Sequence, residues 1–225
     1  GHEPCGEGLP SGRILHGAVF HTDAVQAVGH IGIDVKDLGV DMLSASAHKF
    51  NGPKGVGFLY IKKGTPIIPY IDGGAQESSL RAGTENVALI VGMAYALQKN
   101  CRCMDANINK VRELEADFIG LLGINGNKGI IRNGGNDTLP GIVSLSFGNG
   151  DGEAMLHRLD LRGICISTGS ACNSGKSTVS HVLRAIGLDE EYAKGTIRIS
   201  FGKDNTKEEV RYIANEINKI VIDRG

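Results

Sequence analysis

Val40-Asp41-Met42-Leu43-Ser44, then Ser46-Ala47-His48-Lys49, then Asn51-Gly52-Pro53-Lys54-Gly55 and Gly57-Phe58-Leu59-Tyr60-Ile61 follow one another in the chain, and this stretch decides how the rest is read. The first and last runs are short, apolar and bounded by turn residues, the pattern of buried strands. Lys49 therefore falls in a turn between two strands. A lysine held in a partly desolvated turn gives up its charge more readily than one on a helix face, and only the neutral amine forms a Schiff base with an aldehyde. The alternative is a solvated surface charge, the usual state of a lysine.

Upstream, Ala18-Val19-Phe20-His21-Thr22-Asp23-Ala24-Val25-Gln26 reads as a strand ending in an acid, with an amide three residues later. Ligands of open parallel sheets bind just past the carboxyl ends of strands, where Asp23 and Gln26 fall. Asp23 has a second possible use, as the N-cap of a helix beginning near Ala24.

The chain has 225 residues, enough for one large domain or two small ones with a sizeable core. No run approaches membrane-spanning length, and the N-terminus lacks the charged and apolar regions of a secretory signal, so the expected location is cytoplasmic. The formal charge is −1 with both signs interspersed, which gives no electrostatic case for nucleic acid or an anionic membrane as partner. The five cysteines follow no framework spacing. Cys101-Arg102-Cys103 is too close for a CxxC motif and reads as incidental. Cys165, in the apolar run Gly163-Ile164-Cys165-Ile166, reads as a buried core residue.

Thirty-three glycines punctuate short β-branched runs and amphipathic stretches, the signature of an α/β protein. Val87, Ile90, Val91, Ala94 and Leu97 recur at helical spacing, and Ile108, Val111, Leu114, Phe118 and Leu121 do so again. These two helices are expected to link two domains. Beyond them the pattern predicts a strand at Gly141 to Phe147, a helix at Asp151 to Leu161, a strand at Gly163 to Ile166, a helix near Val179 to Ile186 and a strand at Thr196 to Ser200. A last helix opens on a capping box, Thr206 with Glu209, and buries Val210, Ile213, Ile217 and Ile220. The second half reads as a small α+β domain, and the first hundred residues as part of a larger sheet domain.

Five separated motifs carry a resemblance: Asp23-Ala24-Val25-Gln26-Ala27-Val28-Gly29-His30, Ser44-Ala45-Ser46-Ala47-His48-Lys49, Arg81-Ala82-Gly83-Thr84-Glu85-Asn86, Ser167-Thr168-Gly169-Ser170-Ala171-Cys172 and Ile197-Arg198-Ile199-Ser200. In this order, from about His16 to the C-terminus, they resemble the cysteine desulfurases, the NifS/IscS-like branch of the class V pyridoxal-phosphate enzymes. The resemblance implies an α/β fold: the C-terminal part of a large domain with a mixed sheet flanked by helices over residues 16–100, and a small α+β domain over 101–225. Residues 1–15 do not match and are expected to be a leader foreign to the family. The family's phosphate-binding Gly/Thr loop, its ring-stacking histidine and its Asn-Glu-x-Gly motif are not found ahead of Asp23.

The resemblance assigns Lys49 as the Schiff-base lysine of pyridoxal 5'-phosphate, Asp23 as the acid paired to the ring nitrogen and Gln26 as donor to the ring phenolate oxygen. Ser46 and His48 match phosphate ligands, and Thr84 matches a threonine that reaches the phosphate of a neighbouring subunit, which implies a homodimer. Cys172 matches the cysteine that takes sulfur from L-cysteine as a persulfide. Its small polar neighbours suit a mobile loop. Arg198 matches the arginine that grips the substrate carboxylate with a planar fork. The implied activity is conversion of L-cysteine to L-alanine, with sulfur passed to an iron–sulfur scaffold or a tRNA-thiolation relay protein. A selenocysteine lyase is the nearer alternative. The more distant one is a catalytically impaired fragment that survives as a dimerisation or interaction remnant.

The segment around Gly175-Lys176-Ser177 has the look of a phosphate-binding P-loop, a different functional class. The spacing fails, because Gly169 and Gly175 enclose five residues where that loop needs four.

Overall fold

The computed structural model describes residues 17–124, 129–135, 138–168 and 180–222. The chain divides into two compact units, one ending at Met104 and the other beginning at Asp105.

The first unit is built on three strands, β1 (His21–Asp23), β2 (Met42–Ser46) and β3 (Gly57–Ile61), in the order β1-β2-β3. β1 runs parallel to β2 with Asp23 opposite Ser44, and β3 runs antiparallel to β2 with Gly57 opposite Ser46. Side chains alternate across β2: Leu43 and Ala45 are buried, while Met42, Ser44 and Ser46 line the more open face. β2 starts two residues later than the apolar run suggests. Val40 is buried but Asp41 is taken up by Phe20, its carboxylate accepting the Phe20 N–H at 2.9 Å, and the ladder begins at Met42. Among the described residues, β1 and β3 each have one unpaired edge.

Helix α1 (Val87–Arg102) is capped by Asn86, whose side-chain oxygen accepts the Leu89 N–H at 3.2 Å. Its face carrying Met93, Ala96 and Leu97 packs on the core of Ala24, Val28, Leu43, Ala45, Ala47 and Phe50. Of the residues that recur at helical spacing, Val87, Ile90, Val91, Ala94 and Leu97, only Leu97 packs on this core. The helix is apolar on two faces, and packing against Phe50 selects the one with Met93 and Ala96, which leaves Val87, Val91 and Tyr95 exposed.

The second unit opens with helix α2 (Met104–Leu122), whose first residue lies just across the boundary. Four strands, β4 (Ile130–Arg132), β5 (Ile142–Phe147), β6 (Ser167–Thr168) and β7 (Thr196–Ser200), form an antiparallel sheet in the order β4-β5-β7-β6. Helices α3 (Gly152–Asp160), α4 (His181–Ala185), α5 (Glu190–Lys194) and α6 (Lys207–Ile222) complete it. Leu114, Phe118, Val143, Leu145, Met155, Leu159, Ile197, Val210 and Ile217 form the core, and the Phe118 and Phe201 rings meet edge to face at 5.2 Å. The capping box of α6 forms as read: Glu209 N–H donates to Thr206 Oγ1 at 3.2 Å and Thr206 N–H to Glu209 Oε2 at 2.9 Å.

Gly163 to Ile166 is not a strand, and Cys165 is exposed rather than buried. Gly163 takes φ +73° and the Ile164 N–H returns to Leu159 O at 3.0 Å, closing the end of α3. This turn puts Ile164 into the core and the next side chain outside.

Candidate functional site

Five of the candidate residues lie where β1 and β2 end. The parallel register sets Asp23 beside Ser44, and the next residue continues the ladder, Ala24 N–H donating to Ser44 O at 3.0 Å. Asp23 is exposed, and its Oδ1 accepts the Val25 N–H at 3.0 Å, which orients the carboxylate. The segment that follows is a series of turns, with Val28 N–H on Ala24 O at 3.0 Å, so Asp23 caps a turn rather than a regular helix. Gln26 lies exposed on that turn.

β2 ends at Ser46 and the chain enters a 3-10 turn, Ala47–Phe50. Ala47 and Phe50 are fully buried, whereas His48 is exposed and Lys49 half-buried, so the turn anchors by its ends and presents its middle. Asn51 follows in the left-handed region at φ 64°, and Gly52 N–H returns to Ala47 O at 2.8 Å. Ser46 Oγ and His48 Nδ1 are 2.8 Å apart. When the hydroxyl donates to Nδ1, Nε2 carries the proton and becomes a free donor for an anion. Gly57 is required opposite Ser46, since a Cβ there would lie 2.4 Å from Ala45 O.

His21 joins this group, although the motif reading gave it no role. It shares the open face of the sheet with Asp23 and its Nε2 lies 2.7 Å from Ser44 Oγ. The two-residue alternation of His21 and Asp23 along a strand was the available signal.

The remaining candidates fall elsewhere. Thr84 is exposed in the segment leading to α1 and has no hydrogen bond to these five among the described residues. Arg198 belongs to the second unit, on β7 between Ser144 of β5 and Ser167 of β6. Arg198 is half-buried, and its side chain has neither an ion pair nor a hydrogen bond among the described residues. Cys172 and the glycine-lysine-serine segment lie outside the described residues, as do residues 1–15.

An amine, a carboxylate, an amide and a hydroxyl–imidazole pair thus lie at or just past the ends of two parallel strands. This donor set suits a phosphorylated aromatic aldehyde with a basic ring nitrogen: an anion for the ring, donors for the phosphate and an amine for the carbonyl. No helix among the described residues is long and apolar enough to cross a membrane.

Comparison with known proteins agrees with this chemistry. The profile of the family described as Aminotransferase class-V matches residues 12–213. The cysteine desulfurase IscS of Dictyoglomus turgidum is 48% identical over 202 residues, which cover 90% of this chain and 51% of that protein. A NifS-like protein from Rickettsia africae superposes with a TM-score of 0.83 at 32% identity, covering 92% of this chain and 55% of the other. SspA in complex with cysteine superposes with a TM-score of 0.68 at 35% identity, covering 86% of this chain and 53% of the other. The chain spans about half the length of the curated relatives it matches.

Proposed function

The chain belongs to the aminotransferase class-V family, and on that premise we propose that it carries the lysine side of a pyridoxal-phosphate site and the sulfur-accepting cysteine of a cysteine desulfurase. The observation that carries this reading is the half-buried Lys49 in a tight turn directly after β2, beside the Ser46–His48 pair and the Asp23 carboxylate at the end of the adjacent parallel strand. Members of the family use pyridoxal phosphate, and the residues present fit it.

Bound there, the cofactor supplies an electron sink for a carbanion at the substrate Cα. Asp23, fixed at Oδ1 by the Val25 N–H, holds positive charge at the ring nitrogen with its remaining oxygen. Gln26 donates to the ring oxygen. Ser46 and His48 hold the phosphate. Lys49 would hold the cofactor through its Nζ, and the same amine would carry the proton to and from the substrate Cα. Arg198 binds the carboxylate of L-cysteine through two parallel N–H donors. The Cys172 thiolate takes the substrate sulfur as a persulfide while the carbon skeleton leaves as L-alanine. The balance closes without an oxidant, since one thiol and one cysteine become one persulfide and one alanine. The persulfide then passes to an acceptor such as an iron–sulfur scaffold protein. A homodimer fits this reading: Thr84 is exposed at the foot of α1, available to the phosphate of a second copy. The site of action in this reading is the cytoplasm.

Borohydride reduction in the presence of pyridoxal 5'-phosphate tests it. The expected result is one reduced cofactor on Lys49 by peptide mass spectrometry, lost in Lys49→Ala, and a persulfide on Cys172 after L-cysteine is added. Trapping on another lysine, or persulfide on Cys101, Cys103 or Cys165, overturns the assignment. A second reading, an interaction remnant with impaired catalysis, draws on the exposed stripe of Val87, Val91 and Tyr95. It predicts a folded chain that binds no cofactor and yields no alanine.

A further inference from the structure

The 3-10 turn bearing Lys49 is held by two side chains that no motif singles out. His30 Nε2 lies 2.8 Å from Lys49 O. A carbonyl only accepts, so Nε2 is the protonated nitrogen. Asn100, buried on α1, donates through Nδ2 both to Phe50 O and to Ala96 O, the latter at 2.9 Å. The carbonyls of Lys49 and Phe50 are therefore pinned from two directions, one by the turn that follows β1 and one by helix α1. The approach of the first turn is close: Gly29 has φ +79°, and a Cβ there would lie 2.9 Å from Phe50 Cβ.

Asp23 and Gln26 sit at the start of the same turned segment that ends in His30. Its hydrogen bonds, Val28 N–H to Ala24 O at 3.0 Å and His30 N–H to Ala27 O at 3.0 Å, make it a short hydrogen-bonded turn. One end carries the carboxylate and amide of the candidate site, and the other grips the backbone of the lysine. We propose that His30 and Asn100 are positioning residues for Lys49, His30 setting the spacing between the Asp23–Gln26 turn and the amine, and Asn100 fixing the turn against α1. This rests on the reading of Lys49 as the cofactor-binding amine. Misplacing a reacting group by a fraction of its bond length is costly in rate, so a clamp on the lysine's own carbonyl acts where it matters.

The test uses the whole chain and four variants, His30→Leu, His30→Gln, Asn100→Leu and Lys49→Ala. Glutamine places an amide N–H where the imidazole Nε2 stands and so restores the donor. Two readouts are taken: hydrogen exchange of the Gly52 amide, whose bond to Ala47 O closes the turn, and the rate of borohydride trapping of pyridoxal 5'-phosphate on Lys49. Loss of one such hydrogen bond is expected to speed Gly52 exchange about three- to tenfold in His30→Leu. Trapping should slow by a similar factor, exchange in β7 and α6 should stay unchanged, and His30→Gln should recover both. Asn100→Leu is expected to act in the same direction. Unchanged Gly52 exchange, or a general loss of protection that glutamine does not repair, overturns the proposal. Trapping that persists in Lys49→Ala refutes the cofactor reading instead, and the clamp is then still judged by Gly52 exchange.

Discussion

Replacing Gly57 with alanine strikes the candidate site through its scaffold. The added Cβ would lie 2.4 Å from Ala45 O, whereas a carbon–oxygen contact settles at about 3.3 Å or more, so β3 must move away from β2 by roughly 0.9 Å. The clash is with backbone, and no rotamer relieves it. Overpacking of this kind costs about 1–3 kcal/mol, and loss of the neighbouring bond from Ala47 N–H to Val56 O, 3.0 Å, adds about 1 kcal/mol, giving about 2–4 kcal/mol in total. Because Gly57 is the register partner of Ser46, the same movement displaces the Ser46–His48 pair. Gly32→Ala is the control, with nothing within 4 Å of its Cβ and no left-handed backbone; it is expected to stay within about 0.5 kcal/mol of the parent. The assay is urea unfolding followed through a probe in the first unit, with cofactor trapping on Lys49 measured in parallel. If Gly57→Ala unfolds at the parent's midpoint and traps cofactor at the parent's rate, then β3 does not brace the lysine turn and the reasoning fails.

Three further outcomes are expected. Glu115 is buried in the second unit, accepting the Gly141 N–H at 2.8 Å with one oxygen and Arg132 with the other; Glu115→Gln should cost about 1.5–3 kcal/mol in denaturant unfolding, and a change below about 0.5 kcal/mol would show that the bonds are idle. Hydrogen bonding from Lys219 holds the Glu216 carboxyl below its ordinary range, against the opposing effect of burial and with help from the charges of Lys219 and Arg162, while hydrogen bonds from Asn205 and the Thr206 N–H lower Glu209. Both folded values lie below the unfolded ones, so their contribution is complete above the unfolded value and is lost as pH falls below about 4.3; the unfolding midpoint of the second unit should drop in acid, and a Glu209→Gln, Glu216→Gln pair that retains the full acid sensitivity refutes the assignment. In a form of the protein that turns over L-cysteine, Arg198→Lys should raise KM for L-cysteine about tenfold or more with a smaller change in kcat, because an ammonium cannot reproduce the two-point grip, and an unchanged KM removes Arg198 from the substrate site.

Much of the lysine-bearing stretch was legible because it is governed by local rules. Strands β3 and β7 have the bounds read from their apolar runs, and the Thr206–Glu209 box closes because both partners lie within one helical turn. The failures share a different cause. Cys165 sits in an apolar run, yet a left-handed glycine two residues earlier decides which neighbour turns inward, and composition does not encode that rotation. Helix α1 has apolar residues on two faces, so periodicity alone could not choose between them. Strand β4 and helix α5 are too short to leave a periodic signal.

His30 and Asn100 were illegible for a more basic reason. A motif is recognised when several side chains must meet at one ligand, which constrains their types and spacing together. A side chain that grips a backbone carbonyl meets a partner present at every position, so neither its own type nor its distance in sequence is marked. His30 lies 19 residues from its acceptor and Asn100 lies 50 from Phe50. Only the three-dimensional path, the turn after β1 on one side and the inner face of α1 on the other, brings them to two consecutive carbonyls, Lys49 O and Phe50 O. The amine of Lys49 is therefore specified twice, once by the residues around it that suit a cofactor and once by backbone contacts that fix where its Cα points. The second specification can be changed without touching any cofactor ligand, which is why His30→Leu and His30→Gln separate positioning from binding where Lys49→Ala cannot.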